Sequence, residues 1–386
     1  MEQKGVIESL TSLRFFAAFA IVLHHARGLV FPNEFLPGVP LSAGVSFFFV
    51  LSGFILAYVY TGKMESVGLY KFYTSRFSRI WPAHIFTMML VIALFPPFEW
   101  TLGAQNVWIV TLLNGFLLQS LVPVPAYYFS FNGVSWSISS EFFFYAAFPF
   151  LLLGLSRNWI FKLVSLLFLG GAIAYLFDIH NANYYSPDKL TAFSGHGLSY
   201  ISPLSRIQEF FIGMLFFKLF DHIKVWRVFG LISCTVLEIF CILAVMLWTQ
   251  KAVGIPYALA GAGNSATAEF WSHCSMGVLF GFIILFFAIN KGLVSKLLQL
   301  RVFIILGEIS FSMYMIHQII FRYYSSHRPT FSFLSEDATF PFLLTIVIAS
   351  SYMIWRLIEL PAQVQLKNFF AYLGGRQRRQ APTTTN

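Results

Sequence analysis

Charged residues are scarce in this sequence. Only 11% of its 386 residues are Asp, Glu, Lys or Arg, whereas a soluble domain carries about a quarter. Hydrophobic residues make up 58% of the chain, and the mean hydropathy is +0.72. So little charge cannot cover a water-facing surface, which excludes a soluble globular protein and predicts an integral membrane protein.

Cysteine is also scarce. Cys234, Cys241 and Cys274 all lie in apolar runs and lack the spacing of a metal site, so we interpret them as packed thiols without a disulfide framework. The formal net charge is +9. In a membrane protein an excess of Lys and Arg is a topology signal, so we expect membrane lipids around the chain and no nucleic-acid partner.

The apolar residues fall into about eleven long runs, and the loop charges test how many of them cross the membrane. Cytoplasmic loops are rich in Lys and Arg. If every run crossed, Arg157 and all later basic clusters would lie outside. The run 105–122 is the best candidate for a segment that does not cross, because it is rich in amide side chains and ends at Pro123 and Pro125. The runs lie at approximately 10–31, 43–61, 81–97, 105–122, 136–154, 159–177, 204–220, 228–248, 269–289, 302–322 and 340–360.

We therefore predict an all-α integral membrane protein with about ten transmembrane helices, in which 105–122 is re-entrant or non-spanning and both termini are cytoplasmic. One transmembrane domain covers residues 6–365. Residues 366–386 are predicted to form a basic, disordered cytoplasmic tail. The longer external segment 178–203 either receives a polar acceptor or is a solvated loop.

The first run, Leu10–Val30, contains Arg14, His24 and His25 inside a stretch long enough to cross a bilayer. Ionisable groups in hydrocarbon pair, line a wet cavity or do chemistry. Arg14 and His25 are eleven residues apart, which places them on one helix face and roughly 16 Å apart along the axis. A snorkelling arginine with a packed histidine explains the same pattern equally well.

Other polar residues in apolar runs leave similar alternatives. Ser52 is a small residue in a bulky helix, which is typical of close helix packing. Arg76 and Arg79 share a helix face and could bind a phosphate or diphosphate, or anchor a cytoplasmic helix end. Glu141 lies four residues after Ser137 in an otherwise apolar helix, and a functional role is favoured because nothing local neutralises it.

Two more polar patterns occur later in the chain. Arg206 could pair with Glu209 three residues on, or belong to a site. Ser310, Tyr314 and His317 form a second polar stripe on a helix, which serves either as interhelical contact or as part of a site.

The order of these motifs resembles the membrane-bound acyltransferase-3 family, which O-acylates carbohydrates and other cell-envelope or exported molecules. The resemblance covers roughly residues 6–365. One departure is Phe311, where many relatives have tyrosine. The matching motifs are Leu13-Arg14 with His25, Gly44–Phe54, Arg76 and Arg79 before Trp81-Pro82, Trp136-Ser137-Ile138 with Glu141, Tyr145 and Pro149, Arg206 before Phe210 and Gly213, Ser310 with Tyr314 and His317, and Glu359 with Pro361.

The resemblance implies an enzyme of the bacterial inner membrane. It would move an acyl group, by default acetyl, from cytoplasmic acyl-CoA to a hydroxyl of a cell-surface or exported carbohydrate or lipid-linked glycan, such as a lipopolysaccharide O-antigen or an exopolysaccharide. Acyl-CoA is then a co-substrate, and neither a bound cofactor nor a metal is expected.

The resemblance also implies roles for individual residues. His25 would be the general base, or would carry the acyl group covalently, and Arg14 would stabilise the thioester oxygen or hold the donor. Glu141 would orient a histidine or an acceptor hydroxyl. Arg76 and Arg79 would bind the donor. Residues with supporting roles would be Ser52, Ser137, Arg206, Tyr314 and His317.

Two other classes of protein remain compatible with the polar residues. A transporter or channel could move a polar or anionic solute past Arg14, His25 and Glu141, although no inverted repeat supports it. A lipid- or glycan-binding scaffold could use the polar stripes as contacts between helices.

Overall fold

The computed structural model describes residues 5–31, 36, 38–180, 184–185, 187–226, 228–261 and 265–380, with side chains as far as residue 374. No β-strand occurs in these residues. The helices are α1 (Glu8–Ala26), α2 (Gly44–Tyr60), α3 (Met64–Val67), α4 (Leu69–Leu94), α5 (Pro97–Thr101), α6 (Val107–Gly115), α7 (Pro125–Tyr128), α8 (Trp136–Leu152), α9 (Leu155–Ile179), α10 (Ile207–Ile223), α11 (Leu231–Ala260), α12 (Ala266–Ile289), α13 (Leu293–Leu298), α14 (Arg301–Ser326), α15 (Glu336–Ile354) and α16 (Leu360–Gln380).

Shorter helical turns connect these elements. Two are π-helical, Gly197–Ile201 and Trp355–Glu359. The others are 3-10 turns, at Leu41–Ala43, Gln119–Leu121, Gly133–Ser135, Pro187–Lys189, Pro203–Ser205 and Arg328–Phe331.

The predicted class, an all-α integral membrane protein, is confirmed. Among the described residues, 8 helical segments are long and apolar enough to cross a membrane. Two further apolar helices, α8 and α10, have 17 residues each, which is the lower limit for a crossing. These ten segments correspond to the ten runs predicted to cross. The side on which each terminus lies stays a prediction.

Segment 105–122 does not form a spanning helix, as predicted. Its helix α6 has 9 residues and is therefore only about 14 Å long, less than half of a bilayer core. Two side chains of α4 hold its carboxyl end. Trp81 Nε1 donates to the carbonyl of Gly115 at 3.0 Å, and His84 Nε2 lies 2.8 Å from the carbonyl of Asn114. His84 thus contacts a helix end whose carbonyls need donors.

Described residues of the segment 178–203, which is predicted to be external, pack against the rest of the protein. The amide of Ala126 donates to the carbonyl of Leu190 at 2.8 Å, and the ring of His196 stacks on Tyr200 with centroids 4.8 Å apart. Burial lowers the pKa of His196 to about 4, so this histidine is neutral at pH 7. Asn181 and Asn183, which the sequence placed in this segment, lie outside the described residues.

The chain ends in a helix, because α16 continues to Gln380. The disorder predicted for residues 366–386 stays a prediction. The π-helical turn Trp355–Glu359 leads from α15 directly into α16, and α16 then packs on α4, where Tyr70 Oη donates to the carbonyl of Phe370 at 2.9 Å. This contact gives α16 a partner surface, and tertiary packing is the main source of helix stability in proteins.

Close contacts between helices use glycine. A Cβ added at Gly53 of α2 would lie 1.8 Å from the carbonyl oxygen of Phe210, and one at Gly213 of α10 would lie 1.9 Å from that of Val50. Gly307 of α14 meets the α1 backbone in the same way. Small residues let helix backbones approach closely in a membrane protein. These contacts seat α2 on α10 and α14 on α1, and α1, α2 and α14 all contribute to the site described below.

Candidate active site

A cavity of about 420 Å³ lies between helices α1, α2, α4, α8 and α14. Gly5 and Tyr58 lie at one end of it, and Phe48, Ser137 and Tyr314 lie at the other. Seven of the predicted site residues line the cavity, namely Arg14, Ser52, Arg76, Arg79, Ser137, Glu141 and Tyr314.

Three arginines give the cavity its positive charge. In the described part of the chain, Arg14, Arg76 and Arg79 have no carboxylate within the 4.0 Å of an ion pair. Arg14 is within longer electrostatic range of Glu141 and Glu359. Burying a cation without a close counter-ion is costly. Such a cluster is therefore suited to binding an anion that enters the cavity.

Glu141 lies on the cavity wall and is held by two hydroxyl groups. Ser52 Oγ donates to Glu141 Oε1 at 2.9 Å, and Tyr145 Oη donates to the same oxygen. Tyr145 is four residues after Glu141 and so lies on the same face of α8. Ser52 is thus a hydrogen-bond donor and not solely a packing residue.

Ser137 and Tyr314 close the far end of the cavity. Their hydroxyl oxygens are 2.7 Å apart, and Tyr314 Oη also donates to the carbonyl of Val134 at 3.0 Å. The ring of Phe48 lies 6.3 Å from that of Tyr314. Tyr314 thus lines the cavity and also lies beside His317, with their ring centroids 5.9 Å apart.

His25 and His317 form a pair one helical turn past Tyr314. His317 Nδ1 is 3.1 Å from the carbonyl of Met313, and His25 Nδ1 is 3.1 Å from that of Ile21. His317 Nε2 lies 3.1 Å from His25 Nδ1. A carbonyl can only accept, so each neutral ring carries its proton on Nδ1. The single Nδ1–H of His25 is then shared between the Ile21 carbonyl and His317 Nε2, and His25 Nε2 is left unprotonated.

The histidine pair is next to the cavity but does not line it. The ring of Tyr314, at the far end of the cavity, is 5.9 Å from the ring of His317. His317 is buried, whereas His25 is partly exposed. The arrangement places Nε2 of His25 on one side of Tyr314 and the three cavity arginines on the other.

Arg206 lies outside the cavity. It is fully buried, and its Nε is 2.5 Å from Glu209 Oε2. Its Nη2 donates to Ser46 Oγ at 3.1 Å, and its guanidinium lies over the rings of Phe49 and Tyr200, 5.0 and 5.1 Å from their centroids. Of the two alternatives for this residue, the geometry matches the local ion pair.

Sequence reasoning missed three residues of the cavity region as site candidates. Tyr145 and Glu308 line the cavity. Glu359 accepts a hydrogen bond from Ser312 Oγ at 2.9 Å and is close enough to Arg79 to interact electrostatically. The four-residue spacing from Glu141 could have indicated Tyr145. Glu359 stands in a motif that carries the family resemblance, but no local spacing could have linked it to Arg79, because hundreds of residues separate them.

Residues 7–356 match the family model described as an acyltransferase domain, that of the acyltransferase-3 family. The chain is also similar to acyltransferase MdmB from Streptomyces mycarofaciens, at 30% identity over 335 residues that cover 83% of this chain and 80% of that protein. No solved structure gives a significant match. The chain belongs to the acyltransferase-3 family and is a multi-pass membrane acyltransferase.

This membership confirms the predicted resemblance and the enzyme class. An acyltransferase needs an acyl donor and an acceptor, so the protein has both kinds of substrate. The family match supports an acyltransferase and gives no support to the alternatives of a transporter or a scaffold. The roles assigned to individual residues stay predictions.

Proposed function

We propose that the protein moves an acyl group, by default acetyl, from cytoplasmic acyl-CoA to a hydroxyl of a cell-surface or exported carbohydrate. An O-antigen of lipopolysaccharide and an exopolysaccharide are the acceptors we favour, and the bacterial inner membrane is the expected location. One observation carries the proposal: a cavity lined by three arginines ends at a tyrosine that contacts a histidine pair.

The arginine end of the cavity is suited to the phosphates of the donor. Guanidinium groups bind phosphate oxygens in a bidentate way, and Arg76 and Arg79 present two of them on one helix face. The cavity volume of about 420 Å³ falls within the range of small-ligand sites. Tyr314 lines the cavity and its ring is 5.9 Å from that of His317, so an acyl group at this end would lie next to the histidine pair.

Arg14 holds the donor rather than the reacting thioester oxygen. Its Cα is separated from that of His25 by roughly 16 Å along α1. Side chains on a helix lean toward its amino end, so the guanidinium of Arg14 leans away from His25. Of the two roles predicted for Arg14, the spacing therefore favours binding of the donor arm.

His25 acts as the general base through its unprotonated Nε2. The acceptor oxygen forms a bond to the thioester carbonyl carbon while its proton moves to His25. The carbon–sulfur bond then breaks, and the proton passes from His25 to the departing thiolate of CoA. His317 accepts a hydrogen bond from His25 Nδ1–H throughout, which orients the ring and stabilises its charged form.

The test uses purified protein in nanodiscs with acetyl-CoA and a polysaccharide acceptor. We expect CoA release that depends on the acceptor, and mass spectrometry should show the product heavier by one acetyl unit. His25→Ala should lose 10²–10⁴-fold in rate, the range for a general base. Near-normal acylation by His25→Ala at equal protein level would contradict the assignment of the base, and an acetyl adduct on His25 would indicate a covalent route instead.

A further inference from the structure

Helix α16 packs beside the arginine end of the cavity, although it follows the residues matched by the family. Tyr70 Oη of α4 donates to the carbonyl of Phe370 at 2.9 Å. The rings of Phe77 and Phe370 meet edge to face with centroids 6.1 Å apart. Because Phe77 lies between Arg76 and Arg79, this contact fixes α16 next to both arginines.

Lys367 lies on the face of α16 that is turned toward α4. It precedes Phe370 by three residues, so the two side chains share a helix face. Lys367 is close enough to Arg76 and Arg79 for mutual electrostatic interaction, and its side chain is exposed. Within the described ranges it forms no ion pair with an acidic residue. Three cations therefore lie near one another, two of them on the cavity wall and Lys367 on the adjacent helix.

We propose that Lys367 completes the donor site by binding the 3′-phosphate of CoA, while Arg76 and Arg79 bind the diphosphate. This inference rests on the proposed acyl-CoA donor. CoA carries its phosphates in two places, a diphosphate in the chain and a monoester on the ribose. The planar forks of arginine suit the former, and a flexible lysine acts as a point charge for the latter. Helix α16 is then part of the active enzyme rather than a tail.

The test compares the binding of CoA and 3′-dephospho-CoA to the full-length protein. We expect Lys367→Ala to weaken CoA binding by about threefold to tenfold, the effect of one exposed charge pair. The affinity for 3′-dephospho-CoA should not change, and Lys367→Arg should restore most of the affinity for CoA. Lys71→Ala is the matched control, since Lys71 is an exposed lysine of α4 that lies five residues from Arg76 and should leave both affinities unchanged.

Several outcomes would overturn the inference. Equal loss of affinity for both ligands would mean that Lys367 contributes only to the general field or to helix position. CoA binding that is identical in the wild type and Lys367→Ala would reject the role of Lys367 and leave the proposed donor intact. If the wild type bound neither ligand, the proposed acyl-CoA donor itself would fail.

The same cations could also meet the phosphate of an anionic lipid. Binding is therefore measured first in nanodiscs of phosphatidylcholine, whose headgroup carries no net charge, and then with phosphatidylglycerol added. An effect of Lys367→Ala that appears solely with phosphatidylglycerol would assign the lysine to lipid and overturn its assignment to CoA.

Discussion

At the scale of the residue, His25 depends on its neighbours for its chemistry. The carbonyls of Ile21 and Met313 hold the protons of the two imidazoles on Nδ1. His317 can then only accept from His25, across the 3.1 Å between their ring nitrogens. This arrangement leaves Nε2 of His25 unprotonated and able to take a proton, as a base requires.

His317 is therefore expected to position His25. His317→Phe should lower kcat by about tenfold to a hundredfold, which is less than the loss of the base itself. The KM for acyl-CoA should not change, because His317 lies outside the cavity. His317→Gln keeps an acceptor oxygen and should recover part of kcat.

Steady-state kinetics with equal amounts of folded protein check this expectation. His222→Ala is the control, since His222 is an exposed histidine of α10 that does not line the cavity, and this variant should keep most of the activity. A purely structural role of His317 would be indicated if His317→Gln were as inactive as His317→Phe.

At the scale of the element, the packing of α2 on α10 decides where Ser52 points. Gly53 and Gly213 each face a backbone carbonyl of the other helix. No side chain, however small, fits between them. Ser52 is the neighbour of Gly53, so the same contact that seats α2 also sets the direction of the hydroxyl that binds Glu141.

Alanine at either glycine should therefore destabilise the protein. An added methyl group must push two helices apart, at a cost of about 1–3 kcal/mol or more. We expect Gly53→Ala and Gly213→Ala to lower the Tm in detergent and also to reduce activity. Gly254→Ala is the control, because nothing lies within 4 Å of a Cβ built there. An unchanged Tm in both variants would argue against the close contact.

At the scale of the whole molecule, the cations of the site lie at one end of the cavity. Arg76, Arg79 and Lys367 come from helices α4 and α16, yet Lys367 lies within electrostatic range of both arginines. This common location agrees with the charge pattern that places the basic loops in the cytoplasm. The donor end of the cavity would then face the compartment that contains acyl-CoA.

Labelling of single cysteines should verify this orientation. In a variant without the three native cysteines, Asp188→Cys should react with an impermeant maleimide in intact cells, since residue 188 is exposed in the predicted external segment. Glu65→Cys, exposed after α2, should react only after permeabilisation. Labelling of Glu65→Cys in intact cells, with Asp188→Cys labelled only after permeabilisation, would contradict the predicted topology.

Local sequence patterns account for much of the fold and for most of the cavity. Apolar runs predict spanning helices because each helix satisfies its own backbone in lipid. The amides of 105–122 predict a segment that does not cross, and α6 is indeed too short to do so. Arg14 and Glu141 stand out because charge is expensive in hydrocarbon, and both line the cavity.

Other features needed the folded chain. No sequence pattern around Trp81 or His84 predicts their contact with the carbonyl end of α6. The basic composition of residues 366–380 likewise gives no indication of the helix found there. Glu359 comes close to Arg79 only because α15 and α16 pack back onto α4. Such contacts depend on which helices are neighbours, and a single sequence does not encode neighbours in any local spacing.

The sequence by itself determined the class of the protein, the helices and the residues that are costly to bury, because hydrophobicity and charge act on each residue where it stands. Only the tertiary structure decided which of these residues meet. It separated His25 from the cavity by Tyr314, gave His25 a histidine partner from α14, and moved Lys367 beside the arginines. The physical reason is that such contacts arise from the packing of distant helices, where glycines and buried hydrogen bonds set the neighbours.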